Sequence, residues 1–239
     1  TDPAFIEKSP TTTSITGMSI GNLGSANTCI SCHKSRKDVT SYITASNTLS
    51  KYWGPHEGPQ ADIFSAAGGY QYVGMTYGTS THQQKLTCID CHMPEVKENR
   101  GVPDHSFAAR LTACQGCHAG ANSFDVSGFQ TLITTAMTQF EFALSGEGYL
   151  TRSTAPPYLP LQPDEMADGK FELDQPRTGA PALTANKAGA LYNYILIARG
   201  GASGVHNPKY IQQLMVDSYA AINDAPTPLY PPISLPRPN

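Results

Sequence analysis

The residues with the clearest chemistry in this chain form one pattern, Cys-x-x-Cys-His, which occurs three times. The copies are residues 29–33 (CISCH), 88–92 (CIDCH) and 114–118 (CQGCH). In this pattern two thiols add across the two vinyl groups of a porphyrin, and the imidazole that follows binds the iron. The pattern uses all six cysteines of the chain, which are Cys29, Cys32, Cys88, Cys91, Cys114 and Cys117. We therefore expect three covalently attached c-type haems.

Zinc binding and thiol redox chemistry are the other common uses of paired cysteines, and the histidines argue against both. Histidine makes up only 7 of the 239 residues. On composition alone, the chance that it follows three unrelated Cys-x-x-Cys pairs is about 3 × 10⁻⁵. The motif histidines are therefore the expected proximal iron ligands, and they are His33, His92 and His118.

Each haem iron has a second axial position, and the chain has four further histidines, one more than three irons need. They are His56, His82, His105 and His206. Methionine is the alternative distal ligand and would raise the reduction potential. Met75 is the one methionine in a suitable place. The supply of histidine favours bis-histidine irons, which have no open position for a substrate and carry electrons.

Composition limits the partners and the location of the protein. Only 15% of the residues are charged, the formal net charge is −3, and there is no basic run, so we expect no nucleic-acid partner. The chain starts at Thr1 without an initiator methionine, and this haem attachment takes place outside the cytoplasmic membrane, so we expect export after loss of a signal peptide. The longest apolar stretch, near residues 190–198, is too short to span a bilayer.

The pattern of residue types divides the chain into a trihaem-binding region, residues 1–124, and a helical region, residues 125–239. We expect short helices at the motifs with little other regular structure, because haems replace much of the side-chain core. The two regions are expected to form one integrated domain. The predicted fold class is mainly α with much irregular coil.

Three long helices are expected in the second region. They are predicted from Ser127 to about Leu144, from near Thr184 to Gly200, and from Asn207-Pro208 onward. A proline-rich connector spans residues 147–183 between the first two of these helices. The proline-rich tail after Asp224 either frays or docks on something, such as a neighbouring subunit.

An ordered set of motifs extends over the middle of the chain. It consists of Thr81-His82, CIDCHMP at 88–94, Asp104-His105, CQGCH at 114–118 and, after a long helix, GVHNP at 204–208. This set resembles the multihaem superfamily of the ammonia-forming cytochrome c nitrite reductases, over roughly residues 29–223. The three haem motifs look like the last three of that family's five. The resemblance implies a multihaem cytochrome c with a haem-packed N-terminal part followed by long C-terminal helices.

The resemblance also implies distal ligands for two of the haems. His206 looks like the family's late distal ligand, which would bind the second haem opposite His92. His82 looks like the ligand that would bind the third haem opposite His118.

The distal ligand of the first haem stays open. In the reductases it comes from upstream of the corresponding site, and residues 1–28 contain no histidine. His105 looks like a histidine that serves an earlier haem, which this chain lacks, and His56 lies roughly where the reductases keep an active-site histidine. The first haem must therefore recruit His56, His105 or a histidine of another chain.

The catalytic haem of the reductases, with its Cys-x-x-Cys-Lys motif, has no counterpart here, so we expect an electron carrier and no enzyme. Without that haem, the pattern is similar to subunits of extracellular cytochrome filaments. This favours a secreted homopolymer with haem–haem contact between subunits, and other multihaem cytochromes as partners. The alternatives are a soluble periplasmic or cell-surface carrier that feeds a separate reductase, and an enzyme with one five-coordinate haem and His56 as its acid or base.

Overall fold

The computed structural model describes residues 13–15, 18–20, 23–50, 52–96, 102–151, 175–176 and 182–239. Most of the predicted proline-rich connector lies outside these residues. The division of the chain at residue 124 stays a prediction.

Short helices carry or flank the three cysteine motifs. They are α1 (Asn27–Cys32), α2 (Val39–Tyr42), α3 (Gln60–Phe64), α4 (Thr81–Lys85), α5 (Cys88–His92) and α6 (Leu111–Gln115). Three long helices follow, α7 (Phe129–Gly146), α8 (Ala185–Gly200) and α9 (Pro208–Ile222). Single 3-10 turns lie at Gly24–Ala26, Val126–Gly128 and Ala202–Gly204. The predicted class, mainly α with much coil, is confirmed.

The strands of the described residues form three small antiparallel pairs. They are β1 (Thr13–Ile15) with β2 (Met18–Ile20), β3 (Glu95–Val96) with β4 (Val102–Pro103), and β5 (Leu150–Thr151) with β6 (Gln175–Pro176). In register, Thr13 lies opposite Ile20, Glu95 opposite Pro103 and Leu150 opposite Pro176.

The starts of α8 and α9 agree with the sequence signals, whereas α7 begins slightly later than predicted. Asn207 caps α9 by accepting a hydrogen bond from the backbone of Tyr210, and proline occupies the first turn. Ser127 does not cap α7, because it lies in a 3-10 turn with a φ of 56°. Asp125 takes the capping role instead, and its carboxylate accepts the backbone N–H of Gln130 at 2.7 Å.

The core lies where α8 packs against α7 and α9. Helix α8 is buried nearly all round, because its residues carry small or apolar side chains on every face. Tyr192 of α8 extends this core towards the first motif, with its ring edge-on to Trp53 at 6.1 Å between centroids. In the described part of the chain, no helix has both the length and the apolar character that a bilayer crossing needs.

The proline-rich tail docks on its own chain. Ser234 donates its backbone N–H to Gln139 of α7 at 2.8 Å. Arg237 reaches α9, where its guanidinium binds the buried carboxylate of Asp217 at 2.7 Å. The tail therefore closes the outer surface of the helical core.

A buried carboxylate lies between the core and the first motif. Asp62 of α3 is fully buried and accepts the backbone N–H of Ser35 through one oxygen at 2.8 Å, while its other oxygen has no partner among the described residues. Burial raises the pKa of Asp62 from 3.8 to about 6, and the hydrogen bond from Ser35 opposes the shift. The folded protein therefore binds a proton that the unfolded chain has already released between about pH 4 and pH 6.

We expect stability to fall as the pH rises through this window, because the charged carboxylate is disfavoured in the fold. At 1.36 kcal/mol per pKa unit the loss reaches about 3 kcal/mol. Urea unfolding at a series of pH values should show this loss in the wild type and not in Asp62→Asn. Asp224→Asn, which removes an exposed carboxylate, is the matched control. Parallel pH profiles for the wild type and Asp62→Asn would contradict the assignment.

Candidate haem centre

Helices α1 and α5 set the two thiols of the first and second pairs about one helical turn apart, so that both face the same side. A capping box starts α5 immediately before its motif, because the side chains of Thr87 and Asp90 satisfy each other's backbone N–H groups. In the third motif the backbone N–H groups of Cys117 and His118 both donate to the carbonyl of Cys114. All six cysteines are free thiols that are half-buried or exposed, so a large planar ring has access to them.

The three motifs lie next to one another in chain order. Burial raises the pKa of Cys88 to about 11, and the nearby Cys29 thiol of the first motif adds to the effect. Burial likewise raises the pKa of Cys91, and the nearby Cys114 thiol of the third motif raises it further. These couplings act only over short distances. The second motif therefore lies between the other two.

Most of the histidines have the same tautomer fixed by a hydrogen bond from Nδ1 to an oxygen. The acceptors are Gln60 Oε1 for His33 and the backbone carbonyls of Glu57, Val205, Phe107 and Pro103 for His56, His82, His92 and His105. An amide or carbonyl oxygen cannot donate, so each Nδ1 carries the proton and each Nε2 presents a lone pair. This is the second-shell arrangement that metal-binding histidines use.

Two pairs of imidazoles face each other across a gap. The ring centroids of His92 and His206 are 6.3 Å apart with planes inclined by 20°, and those of His82 and His118 are 6.2 Å apart and nearly perpendicular at 83°. These separations exceed the distance of a direct hydrogen bond between rings. Metal–imidazole bonds of about 2.0–2.1 Å on both sides of one ion would place the two ring centres roughly 6.3 Å apart.

The environment of His206 keeps its imidazole neutral. Burial lowers the pKa of His206 to about 4, and the nearby His92, His33 and His82 lower it further. Its Nδ1 has no contact with solvent and no hydrogen-bond partner in the part of the chain that the structure describes. A neutral imidazole is the form that binds a metal.

Residues 205–207 connect the two facing pairs. The carbonyl of Val205, directly before His206, accepts the Nδ1 proton of His82 at 2.7 Å. Asn207, directly after His206, accepts the backbone N–H of Ser80 at 3.0 Å through its side chain, and Ser80 precedes the helix that carries His82. The positions of the His82 and His206 imidazoles are thus set by one short segment.

Comparison with known proteins agrees with this geometry. Residues 75–234, more than half of the chain, match the family model described as cytochrome c552. This range contains the second and third motifs and both facing imidazole pairs. The chain belongs to the cytochrome c552 family. The resemblance to multihaem c-type cytochromes is therefore confirmed, and haem c with electron transfer is the chemistry that this membership supports.

The relatives of this cytochrome c552 family member include two curated proteins, both named C-type polyheme cytochrome OmcB, from two strains of Geobacter sulfurreducens, DL-1/KN400 and ATCC 51573/PCA. Each is 24% identical over 254 residues, which covers 90% of this chain and 34% of the relative. The chain thus spans about a third of the length of these relatives. No solved structure matches the chain.

The residues of this cytochrome fit haem c at the second and third motifs. In each case a thiol pair is accessible, a motif histidine follows it, and a second imidazole lies across a gap that suits one iron. The orphaned, buried Nδ1 of His206 is consistent with an imidazole whose other nitrogen is committed to a metal. Haem c, when bound there, supplies reversible one-electron iron chemistry.

The first motif has a different environment. His92 and His118 each have a second imidazole opposite them, whereas no imidazole of the described residues lies opposite His33. The loop that contains His56 lies behind His33. Gln60 binds its Nδ1, and a side chain at Gly58 would come within 3.6 Å of the same atom. Since the iron-binding Nε2 is on the opposite edge of the ring, this loop lies on the proximal side, away from the distal position.

His105 also lies outside the two facing pairs. It is exposed at the start of a loop that Asp104 holds in place. The pKa of Asp104 is lowered to about 2. The main cause is the hydrogen bond from the backbone N–H of Ser106, and the second is the hydrogen bond from Arg110. The carboxylate is therefore charged, and it holds the loop through the backbone of Ser106 and the side chain of Arg110.

Sequence reasoning missed three residues of this site, Gln60, Phe107 and Val205. Two of them act through a backbone carbonyl, which no side-chain type reveals. Gln60 acts through its side chain, but it lies 27 residues from His33 along the chain, and no sequence pattern connects the two residues. Met75, the predicted alternative ligand, is 43% exposed in an irregular loop.

Proposed function

We propose that this chain transfers electrons through three covalently attached bis-histidine haems, as a subunit of a self-assembling extracellular conduit. The observation that carries the proposal is the pair of imidazole gaps, His82–His118 and His92–His206, each of which suits one iron. Irons bound on both sides have no open position for a substrate, so their function is to accept and donate electrons.

The chain's own residues hold the carriers close together. The electrostatic influence of Cys29 on Cys88 and of Cys114 on Cys91 supports a continuous row of three haems. The carbonyl of Val205 joins the distal sides of the second and third sites through His82. A row of this kind passes electrons without motion of the protein, whose part is ligation, orientation and burial.

The first site supports assembly into a homopolymer. Among the described residues no imidazole faces His33, and His105 is exposed with no partner at Nε2. A neighbouring copy that donates a histidine to the first iron would complete its ligation and bring haems of adjacent subunits into contact. Other multihaem cytochromes are then the expected redox partners. Haem attachment outside the cytoplasmic membrane supports export across that membrane.

Intact-mass measurement of the native holoprotein with electron paramagnetic resonance of the same sample tests this proposal. We expect a mass increase equal to three haems and a spectrum of low-spin ferric iron only. Fewer than three attached haems would contradict the haem count. High-spin iron in the assembled protein would contradict bis-histidine ligation.

One observation favours the soluble carrier as a second candidate. The proline-rich tail binds its own helices through Ser234 and Arg237, so it is not a free arm for a neighbouring subunit. A periplasmic or cell-surface carrier that feeds a separate reductase needs no such arm. A single small species in solution, with full electron transfer, would select this function.

The enzyme alternative depends on the first site. An iron that has only His33 as its axial ligand would keep a position open for a small substrate. In that case the isolated protein and the native protein would both show one high-spin haem, and nitrite or hydroxylamine would shift its spectrum. A spectrum that stays unchanged on addition of either molecule would exclude this function.

A further inference from the structure

The proximal histidine of the first motif has a partner unlike those of the other histidines. His33 donates its Nδ1 proton to the side-chain oxygen of Gln60 at 2.9 Å. An imidazole that binds iron through Nε2 keeps its proton on Nδ1, so it is the oxygen of the Gln60 amide that must face it. His82 and His92 donate to backbone carbonyls instead, which no substitution removes.

Gln60 is held in place by the helix that it starts. It is the first residue of α3, and the next residue, Ala61, donates its backbone N–H to the carbonyl of His33 at 3.0 Å. Asp62 follows and binds the backbone of Ser35 at 2.8 Å. Three consecutive residues of α3 thus bind the segment that begins at His33, which fixes the start of the helix that carries Gln60 relative to His33.

The neighbouring loop leaves room for this hydrogen bond. Gly58 has a φ of 73°, and a side chain there would lie 3.3 Å from Gln60 Oε1 and 3.6 Å from His33 Nδ1. A larger residue would therefore crowd Gln60 Oε1 as well as strain the backbone. The small residue keeps the Nδ1–Oε1 contact free of competing groups.

We propose that Gln60 is a positioning residue that sets the reduction potential of the first haem. It acts through His33, because an acceptor on Nδ1 gives the imidazole more negative character and makes it a more basic ligand. A more basic ligand stabilises ferric iron relative to ferrous iron. The stronger this acceptor, the lower the potential at which the first iron gains its one electron. The inference rests on the proposed attachment of a haem at residues 29–33.

Two substitutions separate this role from a purely structural one. Gln60→Glu keeps the shape and places a carboxylate on Nδ1, which is a stronger acceptor. Gln60→Leu removes the acceptor at similar volume. We expect the potential of one haem to fall in the first variant and to rise in the second. Each change should be about tenfold in the ferric-to-ferrous ratio at a fixed potential, or about 59 mV for one electron.

The measurement is a spectroelectrochemical titration of each holoprotein, with the electrode as the source of electrons. Intact mass first establishes that three haems are attached. Gln84→Glu is the matched control, because it adds the same charge on an exposed surface near His82 without a contact to an imidazole. It should leave the step assigned to the first haem unchanged.

Opposite shifts of one step in Gln60→Glu and Gln60→Leu would support the role of Gln60. Shifts in the same direction, or a change in melting temperature with unchanged potentials, would show that Gln60 is only structural and would overturn the inference. Loss of haem from the first motif in the wild type would instead refute the proposed function, and the mass measurement distinguishes the two failures.

Discussion

One haem in three should become high-spin when His206 is replaced by alanine. His206 is the imidazole that faces His92 at 6.3 Å, and Asn207 and Val205 fix its position from both sides. Without it, an iron on His92 has an imidazole on one side only and becomes five-coordinate. Electron paramagnetic resonance should therefore show about one third of the iron as high-spin, with all three haems still attached.

Two further variants make this result specific to ligation. His206→Met supplies a thioether at the same position, so we expect a low-spin spectrum and a raised potential of one haem. His82→Ala should likewise make about one third of the iron high-spin. The double variant should make about two thirds of the iron high-spin. An entirely low-spin His206→Ala protein would contradict the assignment of His206 as an axial ligand.

The largest loss of stability is expected from Asn207→Ala. The side chain of Asn207 is fully buried and makes three hydrogen bonds to separate segments, since it accepts from Tyr210 and Ser80 and donates to the carbonyl of Phe64. Its removal leaves the half-buried backbone groups of Ser80 and Phe64 without this partner at about 1 kcal/mol or more each, and deletes the helix cap at Tyr210, which is worth about 1 kcal/mol. We expect a loss of at least about 3 kcal/mol in the free energy of unfolding.

Urea unfolding of the holoprotein measures this loss, and Asn122→Ala is the matched control. Asn122 is exposed in the loop after the third motif, where such a change is worth about 0.5 kcal/mol or less. Asn207→Asp keeps the acceptor oxygen and loses the N–H donor, so its loss in the free energy of unfolding should lie between those of Asn207→Ala and Asn122→Ala. Equal stabilities of Asn207→Ala and Asn122→Ala would refute the role of Asn207 as the link between the two imidazole pairs.

The parts of the fold that the sequence predicts depend on local chemistry. Thr184 and Asn207-Pro208 mark the starts of α8 and α9, because capping is decided by a residue and its nearest neighbours. The motif helices follow for the same reason. Helix α7 begins at Phe129 and not at Ser127, because Asp125, which lies before the helix, accepts the backbone N–H of Gln130 and takes the capping role.

The parts that the sequence did not predict depend on contacts between distant segments. The tail after Asp224 could fray or dock. It docks on its own helices through Gln139, which is 95 residues from Ser234, and through Asp217, which is 20 residues from Arg237. The hydrogen bond between His33 and Gln60 likewise joins residues that are 27 positions apart along the chain. The facing pairs came from resemblance to a family, because spacing along the chain does not say which imidazoles meet.

The most direct test of the central claim is a cryo-electron microscopy map of the native holoprotein at a resolution that shows axial ligands. We predict three haems in a row, with one iron between His82 and His118 and one between His92 and His206. The third should lie between His33 and a histidine of a neighbouring copy in a filament. Discrete particles in which the iron at His33 has an open position, or in which either pair lacks an iron between its imidazoles, would contradict the account.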